Sequence, residues 1–497
     1  MSANAPIYAE LCTHWLRIYR LNHLLSVAGV DRNTLMPPAG NEARANAMAE
    51  LEGIIHGLST EPELEARLAS AEQEPLDDIA HANLREMQRH WRDANALTSA
   101  LVERKSLAGA RCESAWRLQR PANDWIGFLG NFREVVAVAR EEAHMLAEKT
   151  GLTPYDALMD RFEPGMRCEV VDRLFGDLKT WLPALIRTVV ARQAQRPVVV
   201  PQGPFSNSSQ RALGQELMSL LGFDFNAGRL DESTHPFCGG VPEDVRITTR
   251  YHGDKPLQCV MGVIHETGHA RYEQNLPRQW LGQPIASARS MGLHESQSLS
   301  FEMQLARSPA FGESLSALLQ RHYGAQPAFA PENLGPLLRQ VRSDLIRVDA
   351  DELTYPLHVT LRYEIERLLI EGHIEAEDIP RLWDERMRDW LGKDTRGDYR
   401  NGCLQDIHWS EGLFGYFPCY TLGAMYAAQW FAAIRRQHPD FDVLIAQGNL
   451  AVLFDWLRQH IWSQGSRWET AELCVRASGE ELNPAHFRAY LEARYAS

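Results

Sequence analysis

Apolar residues recur at helical spacing through most of this 497-residue chain, and that periodicity leaves room for few architectures other than a mainly α one. Ile7, Leu11, Trp15, Ile18, Leu21 and Leu25 step by three and four along residues 7–27. Residues 40–58, 77–105, 124–150, 168–195 and 208–222 read the same way, and Ala, Leu, Glu, Arg and Gln fill the first 195 positions. The texture changes between Arg196 and Tyr251. Pro197–Pro201 reads as extended, and Pro, Gly, Ser and Asn mark a turn near 201–209. Residues 245–251 (Val-Arg-Ile-Thr-Thr-Arg-Tyr) alternate and are β-branched, making the one good strand candidate. Helices resume near Leu257, with loops expected at 325–335 and 392–404. The predicted class is mainly α with a small β element.

With 44% hydrophobic residues the chain has enough apolar surface for a large core. Its 51 basic and 65 acidic residues give a net charge of 51 − 65 = −14. That balance, without a long basic run, argues against nucleic acid or an anionic membrane as partner. No stretch of membrane-spanning length and no apolar leader is found, so the expected location is cytoplasmic. The eight cysteines are irregularly spaced and form no Cys-x-x-Cys pair, which fits reduced thiols better than a disulfide framework.

The chemistry concentrates at His265-Glu266-Thr267-Gly268-His269. On a helix, residues four apart share a face, so His265 and His269 can direct two imidazoles at one metal. Glu266 flanks that face and can take a proton from an activated water. Gly268 is a poor helix former, and its place there makes sense if something approaches closely. A catalytic zinc site needs a third protein ligand and an open position. Glu295 and its neighbour His294 lie 26 and 25 residues past His269, beyond a turn at 282–284. A helix returning from that turn would bring either one alongside. Glu295 is the preferred ligand, giving the His₂Glu arrangement of gluzincins. Zinc suits such a site, and cobalt or manganese can also occupy it.

Six short motifs in order resemble those of the thermostable, Taq-type metallocarboxypeptidases. They are His235-Pro236-Phe237, Asp244-Val245-Arg246-Ile247-Thr248, the His265–His269 motif, His294-Glu295-Ser296-Gln297, the Ile346–Asp351 segment and Gly402–Trp409. Met36-Pro37-Pro38 and Asn41–Arg44 resemble the family's N-terminal region. The resemblance implies a large helical peptidase fold with a deep groove, often a homodimer, that releases C-terminal residues from peptides. It implies His265, His269 and Glu295 as metal ligands and Glu266 as general base. The chain then reads as one domain over 1–497, with 1–200 covering the groove and 201–497 carrying the metal site. Two departures stand out: Val30-Asp31 where the family has Trp-Asp, and Leu299-Ser300-Phe301 where Arg and aromatics are expected. Neither touches an expected ligand or the base.

A carboxypeptidase must also grip a carboxylate, which the planar fork of Arg does well. Arg347 is the leading candidate, with a helical Arg347–Asp351 pair as the structural alternative. Arg246 has the alternative of bracing the strand. His408, beside Gln405 and Asp406, is a candidate donor to substrate or oxyanion. Tyr416 and Tyr420 are both candidates for oxyanion stabilisation, with aromatic packing as the other reading. His235 and Gln405 are expected at the substrate, while Asp244 and Thr248 are placed in a turn. Leu453, Trp456, Trp462 and Trp468 are expected in core packing. The function read from all this is a metallocarboxypeptidase acting on peptides with a free C-terminus. The alternatives are a metal-dependent oligopeptidase cutting internal bonds and a non-catalytic metal-stabilised scaffold.

Overall fold

A computed structural model describes residues 5–233 and 236–495. The first four helices are α1 (Pro6–Thr34), α2 (Asn41–Ser59), α3 (Leu64–Ala71) and α4 (Asp78–Ala94). α1, α3 and α4 share a small core of Leu11, Trp15, Leu64, Leu68, Leu84 and Met87. Arg44 ties α2 to α1 by donating to Asp31 at 2.6 Å and to the Ala28 carbonyl. The run read as one helix over 77–105 is broken at Asn95–Thr98, because the Thr98 hydroxyl caps a new helix, α5 (Ser99–Gln119). Next come α6 (Trp125–Thr150), α7 (Pro154–Met159), α8 (Cys168–Gln193) and α9 (Asn207–Leu220).

The sheet has three strands, not one: β1 (Gly228–Glu232), β2 (Cys238–Val241) and β3 (Asp244–Thr249), in the order β1-β3-β2. β3 is the strand expected from its β-branched run. It pairs parallel to β1 and antiparallel to β2, with Ile247 opposite both Leu230 and Cys238. β1 is short and charged and β2 carries two glycines, so local propensity hides both. They form because β3 offers a ladder on each side.

The sheet leans on α10 (Pro256–Gln274), with Met218, Val245, Ile247, Cys259 and Val263 packed between sheet, α9 and α10. Two turns later α11 (Met291–Leu299) returns beside α10 and runs directly into a π-helical turn over Ser300–Ala306. The chain continues through α12 (Pro309–Tyr323), α13 (Pro331–Leu338), α14 (Tyr355–Ile370) and α15 (Ile379–Leu391). A loop then leads to α16 (Pro418–Gln437), α17 (Phe441–Ala446), α18 (Ala451–His460), α19 (Thr470–Ser478) and α20 (Pro484–Tyr495). One continuous core runs through α5–α20. Leu453, Trp456 and Trp462 are buried in it and Trp468 packs at its edge, as expected. All eight cysteines are unpaired. Among the described residues, no helix is long and apolar enough to cross a membrane.

Two glycines set the helix crossings that carry the site. A Cβ at Gly268 would stand 2.5 Å from the Gln297 carbonyl oxygen and 2.6 Å from Ser298 Cα. The close approach anticipated at Gly268 is therefore α11. Gly423 of α16 meets the other side of α11, where a Cβ would stand 2.7 Å from Cβ and Cγ of Glu295. Gly268→Ala is expected to force α10 and α11 apart and lower stability by about 1–3 kcal/mol. Thermal unfolding of the metal-free protein checks this; an unchanged midpoint would show that the helices adjust freely.

Candidate active site

α10 presents His265, Glu266 and His269, and α11 presents Glu295 opposite them. One ligand atom from each of His265, His269 and Glu295 lies within 4.8 Å of the others. Glu295 Oε2 is 3.9 Å from His265 Nε2 and 3.5 Å from His269 Nε2. Two imidazoles and one carboxylate converging in this way match the donor set and spacing of a tetrahedral cation site with an open position.

Each imidazole is held from behind. His265 Nδ1 donates to Glu302 Oε2 at 3.0 Å, and Arg307 donates to Glu302 Oε1 at 2.6 Å. Burial opposes ionisation of Glu302, but Arg307 and the His265 bond hold its carboxyl down to about 2. Glu302 is therefore an acceptor and Nδ1 of His265 its donor, which leaves Nε2 as the nitrogen that gives up its proton to bind a metal. His269 is held by a longer chain. Its Nδ1 lies 2.7 Å from His294 Nδ1, and His294 Nε2 lies 2.7 Å from Glu273. Glu273 accepts from His294, so His294 accepts from His269 and leaves His269 Nε2 free. His294, the alternative third ligand, thus faces the back of His269 while Glu295 faces the ligand atoms.

Charge at the site is strongly negative. Burial alone would depress His265, but Glu295 and Glu302 lift it to about 10, the same field that attracts a cation. His269 is pushed well down by burial and by His294 and His265. Glu266 is pushed up to about 7 by burial, with His265 opposing and Glu295 reinforcing. A carboxylate poised there suits proton transfer near neutral pH.

Two arms of one groove meet at these residues. One, of about 710 Å³, is lined by His265, Glu266, Glu295, Val348, Tyr355 and Tyr420. The other is lined by Tyr19 of α1, Phe237 and Cys238, together with His269, Tyr416 and Tyr420. His235 lies outside the described residues, although its neighbour Pro236 lines both arms. Tyr416 and Tyr420 stand edge to face at 5.3 Å. Burial raises both hydroxyls, so each remains a donor.

Arg347 does not pair with Asp351 as a helical reading predicts. Residues Arg347–Asp349 form a single 3₁₀ turn, and Asp351 instead accepts from the backbone of Arg342, Leu353 and Thr354. The buried Arg347 guanidinium donates to Asp406 at 2.8 and 3.1 Å and to the Tyr355 hydroxyl at 2.7 Å. Arg362 takes the second oxygen of Asp406 at 2.6 Å. Burial works against Asp406, but the two arginines hold it well below the usual carboxylate range.

Gln405, expected at the substrate, is fully engaged by the chain itself. Its oxygen accepts from Arg347 N, and its nitrogen donates to the carbonyls of Leu345, Asn401 and Gly402. Arg246 forks onto Asp244 at 2.8 and 2.9 Å along β3, the bracing arrangement of the two read from sequence. Thr248 receives Phe237 N, so it fastens β3 to the segment entering β2 rather than a turn. His408 packs on Phe417 at 4.6 Å, and burial lowers it to about 4, with Arg347 adding to the effect. Its Nδ1 has no hydrogen-bond partner among the described residues. The departures at Leu299–Phe301 are core, with Phe301 stacked on Phe454 at 5.8 Å.

Sequence reasoning missed Glu302, Arg307, Glu273, Arg362 and Tyr355; Glu302, Glu273 and Arg362 have partners 21 to 44 positions away, and Arg307 and Tyr355 matter only through such groups. Glu302→Gln is expected to weaken metal binding by about 10- to 100-fold, because the amide loses the charge and has one acceptor oxygen for two donors, His265 and Arg307. Chelator competition measures this; equal affinity would mean that Glu302 is only packing.

The site can be placed among known proteins. The profile of the carboxypeptidase Taq (M32) metallopeptidases matches residues 10–495. Thermostable carboxypeptidase 1 of Thermus thermophilus is 38% identical over 490 residues, covering 96% of each chain. Carboxypeptidase 1 of Bacillus subtilis is 32% identical over 97% of this chain and 96% of its own. The structure of Trypanosoma cruzi metallocarboxypeptidase 1 superposes with a TM-score of 0.97 at 46% identity, covering 99% of this chain and 100% of that one. An M32 carboxypeptidase from Deinococcus radiodurans superposes at 0.93 with 30% identity, covering 99% of each chain. A two-histidine, one-glutamate cluster with a glutamate beside it, inside a fold matched along its whole length, leaves one assignment: the chain belongs to the carboxypeptidase Taq (M32) family and is a metallocarboxypeptidase, a peptide hydrolase that works with a divalent metal.

Proposed function

We propose that His265, His269 and Glu295 hold one Zn²⁺, with Co²⁺ or Mn²⁺ as substitutes, and that Glu266 is the general base and acid. When bound, the metal supplies Lewis acidity, acidifying water and polarising the scissile carbonyl. Glu266 takes the proton from the attacking water and returns it to the departing amine. Tyr420, which lines both arms of the groove, donates to the oxygen that gains charge, with Tyr416 and Tyr355 flanking it. His408 sits beside these tyrosines as a further donor. Arg246 and Gln405 brace the site, and His235 remains a candidate substrate contact.

The observation that carries the C-terminal specificity is a charge imbalance. Two buried guanidiniums, Arg347 and Arg362, share the single carboxylate of Asp406. One positive charge is left over. Arg347 lies next to the groove-lining Val348 and Tyr355, and a substrate carboxylate arriving there would complete the set. The metal and Arg347 together then select the last peptide bond.

The finer attributes are proposals of the same reading. Residues 1–200 cover a groove whose metal half is 201–497, within one domain. The eight unpaired thiols fit a cytoplasmic location. The family resemblance supports a homodimer.

One peptide, offered with a free C-terminus and as the C-terminal amide, tests the reading. Residues are expected to leave the free form one at a time while the amide stays intact. Equal cleavage of both would contradict the carboxylate grip and favour an oligopeptidase cutting internal bonds.

A further inference from the structure

Glu163 is fully buried and has no part in the chemistry above. It lies in the loop between α7 and α8. Its Oε1 accepts from the Ser290 hydroxyl at 2.6 Å and its Oε2 from Gly292 N at 2.9 Å. The flanking carbonyls do the same work: Phe162 O accepts from Met291 N at 2.9 Å and Pro164 O from Arg289 Nη1 at 3.2 Å. Three consecutive residues thus grip four, and those four enter and begin α11.

The grip is tight. A Cβ at Gly292 would stand 2.7 Å from Glu163 Oε2. Ser290 Oγ, while donating to Glu163, also accepts from Leu293 N at 2.9 Å and so caps the helix. No ion pair to Glu163 exists among the described residues; its charge meets the positive end of a helix instead. Burial nonetheless pushes its carboxyl up to about 7. A lone buried carboxyl is a costly latch unless its placement matters.

What it places is a nine-residue helix carrying Glu295. The rotation of α11 is fixed farther along, where Trp430 Nε1 donates to Ser296 Oγ and Trp462 Nε1 to Gln297 Oε1. The N-terminal grip adds a hold on its position along its own axis, beside the close crossings at Gly268 and Gly423. The same loop reaches the other wall of the site, because the Phe162 ring stands edge-on to Tyr416 at 5.2 Å.

We propose that Glu163 is a positioning residue: through Ser290 and Gly292 it sets where α11 presents the Glu295 carboxylate to His265 and His269, and its loop, through Phe162, sets the Tyr416 ring. This rests on reading Glu295 as a metal ligand.

The test uses the full chain. Metal-free protein is titrated with Zn²⁺ against a chromophoric chelator, and kcat and KM are measured separately at saturating Zn²⁺. Glu163→Ala is expected to weaken Zn²⁺ binding by about 10- to 100-fold and to lower kcat more than it raises KM. Glu163→Gln, which keeps an acceptor oxygen, is expected to recover most of the affinity. Ser290→Ala removes one of the two bonds and serves if Glu163→Ala does not fold; it is expected to weaken Zn²⁺ in the same direction by a smaller factor. A folded Glu163→Ala, or Ser290→Ala in its place, that binds Zn²⁺ and turns over within about twofold of the parent would overturn the proposal, whatever its melting temperature. Glu295→Gln separates the two readings. If it leaves Zn²⁺ affinity unchanged, the metal-site assignment fails; if it alone weakens Zn²⁺, only the role of Glu163 fails.

Discussion

Glu266→Gln is expected to lower kcat by about 10²- to 10⁴-fold, the usual contribution of a general acid–base group, while Zn²⁺ remains bound with near-parental affinity. Glu266 has no ligand atom in the metal cluster, so its amide leaves the three donors intact. The amide cannot accept the water proton or return it to the amine. Steady-state release of C-terminal residues, measured beside metal content by atomic absorption, checks both halves. Retained turnover with full metal would remove Glu266 from the proton path. Lost metal would mean that it shapes the ligands instead.

Arg347→Ala is expected to cost about 2–5 kcal/mol in kcat/KM for a free C-terminus, chiefly through KM, because it removes the group expected to meet the substrate carboxylate. Discrimination between free and amidated peptides should collapse with it. The variant also leaves Asp406 with Arg362 alone, a balanced pair, so the expected loss of stability is that of the charge-assisted hydrogen bonds removed, about 1.5–3 kcal/mol. Thermal unfolding therefore accompanies the kinetics. Arg347→Lys keeps the charge without the fork and should recover stability better than specificity. If discrimination survives in a folded Arg347→Ala, the grip on the carboxylate lies elsewhere in the groove.

The metal-cluster half of the candidate site was legible because it is local. His265, Glu266 and His269 lie within five residues on one helix, and α-helical spacing alone puts the two imidazoles on one face. Gly268 pointed to a close approach, although only the structure names α11 as the visitor. The preference for Glu295 over His294 depended on which face of α11 turns inward, and the structure puts Glu295 there because His294 faces Glu273. The cluster around Arg347 was less legible. Arg347, on a 3₁₀ turn, binds Asp406 in the loop after α15, 59 positions away. A helical rule offered Asp351 instead, since local patterns propose only local partners. Glu302 and Arg307 were hidden for a related reason: Glu302 sits in the π-helical turn and Arg307 just past its end, and their importance comes from His265, 37 positions upstream of Glu302. β1 and β2 fall in the same class, as tertiary pairing to β3 overrides their weak propensity.

The central claim, one catalytic metal on two histidines and one glutamate, is tested most directly by titrating metal-free protein with Zn²⁺. Peptide hydrolysis and X-ray absorption at the zinc edge are followed together. Activity is expected to rise linearly and saturate at one Zn²⁺ per chain, with N and O donors at about 2.0–2.2 Å and a coordination position left to water. Saturation at two metals, a closed shell of four protein donors, or full activity before any Zn²⁺ is added would contradict it.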